Sequence, residues 1–224
     1  MLPFGGLISA SAQDTKPTYV QLNPADASPF NNGEFQGWGT ALCWWANRLG
    51  YSEKLTNAAA EAFFSDKGLG LDIARYNLGG GDDPTHNHIN RSDSKVPGVY
   101  SAYKLSSDGK DVESITYDIT KDQNQLNIAK AALKANPDLY FEGFSNSAPY
   151  FMTKTGCTSG GGTVNSDGTV TSNGNLNNLN DDMYDDFAKF IADATKLFKD
   201  NGIEFKSYSP MNEPDTDYWG YGSP

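Results

Sequence analysis

Close to the end of the chain, Ser209-Pro210-Met211-Asn212-Glu213-Pro214 sets an amide and a carboxylate behind residues 203–208, a run of strand character. Proline cannot donate to a β-ladder, so Pro214 stops the strand there. In parallel α/β proteins, the carboxyl ends of strands project side chains into a crevice without breaking the sheet, and ligands bind there. A carboxyl group so placed can give and take protons, and Glu213 is expected to be a catalytic acid/base with Asn212 orienting the substrate beside it. Taken alone, an Asn-Glu-Pro tripeptide also fits a polar turn, so the other strand exits must decide.

Those exits are also furnished with polar and aromatic groups. Trp38 and Trp44 belong to the first, Arg75 and Asp82 to the second, Asn146 to the third, and Trp219 lies just beyond Glu213. Gly79, Gly80 and Gly81 lack the Gly-Lys-Ser/Thr that completes a phosphate loop, and are expected to let backbone approach a neutral ligand. His86 and His88 have no third ligand at metal-site spacing, so no metal site is expected. Cys43 and Cys157 suit either one bridge or two buried thiols. Tyr150, Phe151, Tyr218 and Trp219 suit stacking on sugar faces or plain packing equally well.

The elements that must carry these groups alternate. Strands are expected within residues 35–46, 70–78, 138–144 and 203–208. Between them, Leu55, Ala58, Ala59, Ala62 and Phe63 recur at helical spacing from Ser52 to a stop near Gly68. Leu126, Ala129 and Leu133 share a helix face behind a capping Asp122, with Pro137 past its end. Met183, Phe187, Phe190, Ile191, Ala194, Leu197 and Phe198 form the strongest stripe, with Asn180 as its cap, Asp181 and Asp182 in its first turn and Gly202 closing it. Residues 84–120 read as a long polar connection and 156–178 as a loop without regular structure. Strand and helix in this rhythm require parallel pairing through right-handed crossovers, an α/β fold.

Composition narrows the partners. A formal charge of −11 repels phosphate backbones and anionic lipid surfaces, which leaves no nucleic-acid or membrane partner and favours neutral ligands. No apolar stretch approaches the eighteen or so residues of a membrane span. Residues 1–12 look like the tail of a secretion signal, with Ala10-Ser11-Ala12 as its cleavage site, so a secreted protein is expected. Residues 18–23 alternate like a short half-exposed strand outside the main core.

Four ordered stretches resemble glycoside hydrolase family 30, and within it the endo-β-1,6-galactanase branch: residues 37–46, with Trp38 and Trp44, Arg75-Tyr-Asn-Leu-Gly-Gly-Gly-Asp82, residues 141–153 around Asn146, and residues 209–214. The likeness runs from about Phe35 to Trp219. It implies a retaining hydrolase built on a (β/α)8 TIM barrel with a side β-sandwich. Residues 13–33 would lend that sandwich a strand, and residues 34–224 would form the first half of the barrel, strands one to four. It further implies that Glu213 is the acid/base, that Asn212 bonds the hydroxyl next to the anomeric carbon, and that Arg75 and Asp82 hold the site and bind sugar hydroxyls. Relatives often carry tryptophan where this chain has Asn146. The family's nucleophile follows a seventh strand, which implies that this chain is a fragment, inactive alone. The implied partner is an oligo- or polysaccharide of β-1,6-galactan type, with no cofactor. Another family 30 specificity, such as glucosidase or xylanase, and a non-catalytic glycan-binding module are the alternatives.

Overall fold

A computed structural model describes residues 19–21, 23–26, 29–83, 89 and 94–222. It divides the chain into two units, residues 1–36 and 37–224. In the first, the described residues form two short 3-10 turns, Pro24–Asp26 and Phe30–Gly33, with Asn31 and Asn32 at positive φ. Tyr19, Val20, Gln21 and Asn23 carry no strand, contrary to the alternation read at 18–23, and Tyr19 and Val20 are exposed. The reading of residues 1–12 as a signal and the pair His86 and His88 lie outside the described residues.

The second unit is built on a four-stranded parallel sheet, with strands β1 (Gly39–Ala41), β2 (Ile73–Asn77), β5 (Tyr140–Phe144) and β8 (Phe205–Ser209) side by side in that order. Helices α1 (Trp45–Leu49) and α2 (Glu53–Phe64) connect the first pair, α3 (Gln123–Ala135) the second, and α4 (Tyr184–Asp200) the third. Two antiparallel hairpins interrupt the alternation, β3 (Tyr100–Leu105) with β4 (Val112–Tyr117) and β6 (Gly162–Val164) with β7 (Val170–Ser172).

Residue pattern accounts for the helices. Ser52 caps α2 by accepting from the Leu55 amide. In α3, Leu126, Ile128, Ala129 and Ala132 are buried, and Asn136 before Pro137 ends the helix in extended backbone. In α4, Phe187, Phe190, Ala194 and Phe198 face inward while Lys189–Asp193 and Lys196–Asp200 pairs line the outer face. Gly202, at φ +87°, closes it. The two expected caps behave differently. Asn180 makes no capping bond, and Asp181 and Asp182 occupy a 3-10 turn ahead of α4, whose own first turn holds Asp185 and Asp186. Asp122 also caps nothing, because its carboxylate is turned inward to Tyr76 and Gln125.

The strand faces alternate as a half-buried sheet demands. Ala74, Tyr76 and Phe141 point to the helices, where Tyr76 meets Phe198 edge to face at 4.8 Å and Phe205 at 5.8 Å. Arg75 and Glu142, direct partners in the β2–β5 register, share the opposite face. The hairpins replace the two stretches read as irregular. Mostly exposed strands give no apolar alternation to detect, and β3–β4 is held by single aromatics instead. Tyr103 stacks on Phe151 at 4.0 Å and Tyr117 lies 6.2 Å from Phe190. The Val112 amide donates to Asp186 on α4 at 2.8 Å.

Candidate active site

Arg75 is fixed first. Its position in β2 puts it beside Glu142, whose Oε1 accepts from Nε at 2.8 Å, and over the Phe144 ring at 3.7 Å. The remaining two nitrogens, Nη1 and Nη2, both donate to Asn212 Oδ1 at 3.4 Å. A guanidinium presents its donors as a rigid fork, so one side chain joins the middle of the sheet to the loop after β8.

That loop delivers Glu213 with left-handed backbone, φ +45°. A non-glycine residue there costs about 1–3 kcal/mol and persists only where surroundings impose it. The imposing contacts are local. Glu213 O accepts from the Thr216 amide at 3.2 Å and its hydroxyl at 2.9 Å. The carboxylate Oε2 accepts from Trp219 Nε1 at 3.1 Å and from the Tyr218 hydroxyl. The bond to Glu213 holds the Tyr218 phenol above its ordinary pKa.

Glu213 and Asn212 line an open cleft of about 770 Å³ with Asn146, Trp219, Leu176 and Tyr184. Asn146 also borders a small cavity of about 20 Å³ together with Trp44, Asn77 and Gly79–Gly81, which is the size of one water or one hydroxyl. Thus Asn212, Glu213, Asn146 and Trp219 come together, Arg75 reaches them through Asn212, and Trp44 shares only the small cavity with Asn146. Asp82 lies beside Gly81, where it pairs with Lys95 at 3.4 Å.

Trp38 does not join them. It precedes β1, where its carbonyl accepts from the amides of Asp72 at 2.8 Å and Ile73 at 3.1 Å, so it stands at the amino end of the sheet with its ring exposed. The parallel direction of β1 and β8 puts Asn212 at the other end. Phe151, read as a sugar-stacking candidate, is buried against the β3–β4 hairpin, with Tyr150 edge-on to Tyr103. The glycines after β2 admit protein rather than ligand: a Cβ on Gly80 would stand 2.5 Å from Ala148 O. Both cysteines are free, with Cys157 buried and Cys43 partly so. Among the described residues no three of His, Cys, Asp and Glu gather as a metal site, and no helix is long and apolar enough to cross a membrane.

Sequence reading missed Glu142 as the residue that aims Arg75. The only signal was that both hold the middle position of their strands, and this acquires meaning once the register is known.

With this geometry in view, the chain matches the profile described as O-Glycosyl hydrolase family 30 over residues 30–223. It belongs to that family. Among curated relatives it is similar to the exo-beta-1,6-galactobiohydrolase of Bifidobacterium longum subsp. longum, 29% identical over 86% of this chain and 15% of that protein. It is also similar to the endo-beta-1,6-galactanase of Hypocrea rufa, 28% identical over 98% of this chain and 44% of that protein. This family 30 chain therefore spans less than half the length of either relative. Among solved structures it resembles a conserved exported protein from Bacteroides fragilis, with TM-score 0.62 and 27% identity over 82% of this chain and 35% of that one. SrfJ from Salmonella typhimurium shares the fold at TM-score 0.56 and 20% identity, covering 84% of this chain and 36% of that one.

Proposed function

We propose that this family 30 chain carries the acid/base half of a retaining, secreted hydrolase acting on β-1,6-linked galactans, on the first four strands of a (β/α)8 barrel. The observation that supports this most directly is the loop after β8, where Glu213 opens into the cleft beside Asn212 and Asn212 is held by Arg75. In the reaction, Glu213 donates a proton to the glycosidic oxygen as the bond to the anomeric carbon breaks. It then takes a proton from the water that attacks the glycosyl-enzyme. Asn212, with its amide oxygen turned to Arg75, offers its nitrogen to a sugar hydroxyl, and Trp219 supplies an apolar face. Asn146 gives the third strand exit a hydrogen-bonding group where many relatives stack a ring, which suits a sugar rich in exposed hydroxyls.

Retention needs a second carboxylate about 5–5.5 Å from the first. The resemblance to family 30 implies that this carboxylate is a glutamate after a seventh strand, while Glu142 pairs with Arg75 and Asp82 with Lys95. The direct test offers β-1,6-galacto-oligosaccharides to the chain and to a version extended to the length of its family 30 relatives. The expected result is binding without cleavage by the chain, turnover by the extended protein, and a loss of roughly 10²–10⁴-fold in the extended Glu213→Gln variant. An extended protein whose turnover ignores Glu213→Gln would overturn the assignment, and preference for β-glucosides or xylan would correct the substrate.

A further inference from the structure

The arm between β5 and α4, residues 153–179, grips the segment that follows Glu213. The Gly161 amide donates to Trp219 O at 3.1 Å and the Tyr221 amide returns to Gly161 O at 3.1 Å, a parallel bridge that pairs Gly161 with Gly220. The approach leaves no room for side chains. A Cβ on Gly160 would stand 1.9 Å from Trp219 O, and one on Gly174 would stand 1.9 Å from Asp217 O. Neither glycine has positive φ, so it is the neighbouring backbone, not their own, that requires them.

The gripped segment contains the two groups that hold Glu213. Tyr218 and Trp219 are successive residues, their rings 5.1 Å apart, and both donate to the same oxygen, Oε2. An oxygen already accepting two hydrogen bonds is the poorer place for a proton, which would have to displace a donor.

We propose that the arm of residues 153–179 is a positioning element for the acid/base, seating Tyr218 and Trp219 so that the proton of Glu213 is carried on Oε1, the oxygen that neither of these rings engages. The catalytic meaning rests on the reading of Glu213 given above, whereas the seating itself does not. Gly160 and Gly174 are its positioning residues. They act through the backbone of Trp219 and Asp217.

The test needs no turnover. In ¹H–¹⁵N spectra of the 224-residue chain, the Trp219 indole resonance, identified by its absence in Trp219→Phe, is expected to move as Glu213 titrates and to stop moving in Glu213→Gln. Gly160→Ala and Gly174→Ala are each expected to abolish that movement while the Trp44 and Trp45 indoles keep their positions as reporters of the fold. The unmodified chain is also expected to exchange the Tyr221 amide slowly, and rapid exchange there overturns the proposal whatever the variants do. A folded glycine variant whose Trp219 resonance still follows Glu213 overturns it too. Absent glycosidase activity in the extended protein would remove the proposed function and leave these spectra unchanged, so the two failures are distinguishable.

Discussion

The hydroxyl of Tyr76 donates to the carboxylate of Asp122 at 2.8 Å, and neither side chain has any exposed surface. Gln125 Nε2 adds a second donor at 2.7 Å and also donates to the Asn77 carbonyl at 2.8 Å, while Gln125 Oε1 accepts from the Asn77 amide at 3.1 Å, so α3 is tied to the carboxyl end of β2. Burial outweighs both donors and pushes the Asp122 carboxyl up to about 7. Since the unfolded chain ionises near 4, the folded state binds the extra proton between the two values. Stability is therefore greatest below pH 4 to 5 as far as this group is concerned, and falls by about 1.4 kcal/mol per unit as pH rises to about 7. Urea titrations at a series of pH values should show that slope, and Asp122→Asn should flatten it.

Removing the partner has the opposite character. Tyr76→Phe keeps the ring against Phe198 and deletes one donor, leaving a buried carboxylate less satisfied. The expected cost near neutral pH is about 1–3 kcal/mol, shrinking toward acid as Asp122 takes up its proton. Paired measurements of Tyr76→Phe and Asp122→Asn, singly and together, would return the coupling between them.

Glu213 bears a backbone conformation that glycine adopts without penalty. Glu213→Gly should be more stable than Glu213→Ala by about 1 kcal/mol, since both lack the carboxylate and only alanine keeps the left-handed strain. Thermal melts of the two variants make the comparison.

Arg75→Lys separates stability from binding. The Arg75–Glu142 pair is about a third exposed, so its loss should change the unfolding free energy from urea titration by less than about 1 kcal/mol. An ammonium cannot hold Glu142 and Asn212 together, however, and the freed Asn212 amide loses its orientation. Titration with β-1,6-galacto-oligosaccharide should show roughly tenfold weaker affinity, about 1.4 kcal/mol.

The thiols give a simple check of the fold. Cys157 is fully buried and burial pushes its thiol up to about 11, whereas Cys43 is only partly covered. A thiol reagent at neutral pH should modify Cys43 first and Cys157 only on unfolding, and the melting temperature should not change with reductant.

The sequence by itself determined what depends on near neighbours in the chain. Apolar spacing set α2, α3 and α4, because a helix needs only one buried stripe and two ends. Short β-prone runs set the four parallel strands, but the last of them ends at Ser209, directly before Pro210, and not at Pro214. The two hairpins escaped because their strands are mostly exposed and are anchored by isolated rings such as Tyr103 on Phe151. Tertiary structure decided everything that depends on register and direction. Strand polarity sent Trp38 to the end of the sheet away from Asn212. Register made Glu142 the partner of Arg75, and burial turned Asp122 from a cap into an interior acid. The seating of Tyr218 and Trp219 on Glu213 rests on an arm more than forty residues earlier in the chain, through glycines whose role is visible only where two backbones meet. Local patterns fix which element forms, but charge, orientation and burial belong to pairs of residues that folding alone brings together.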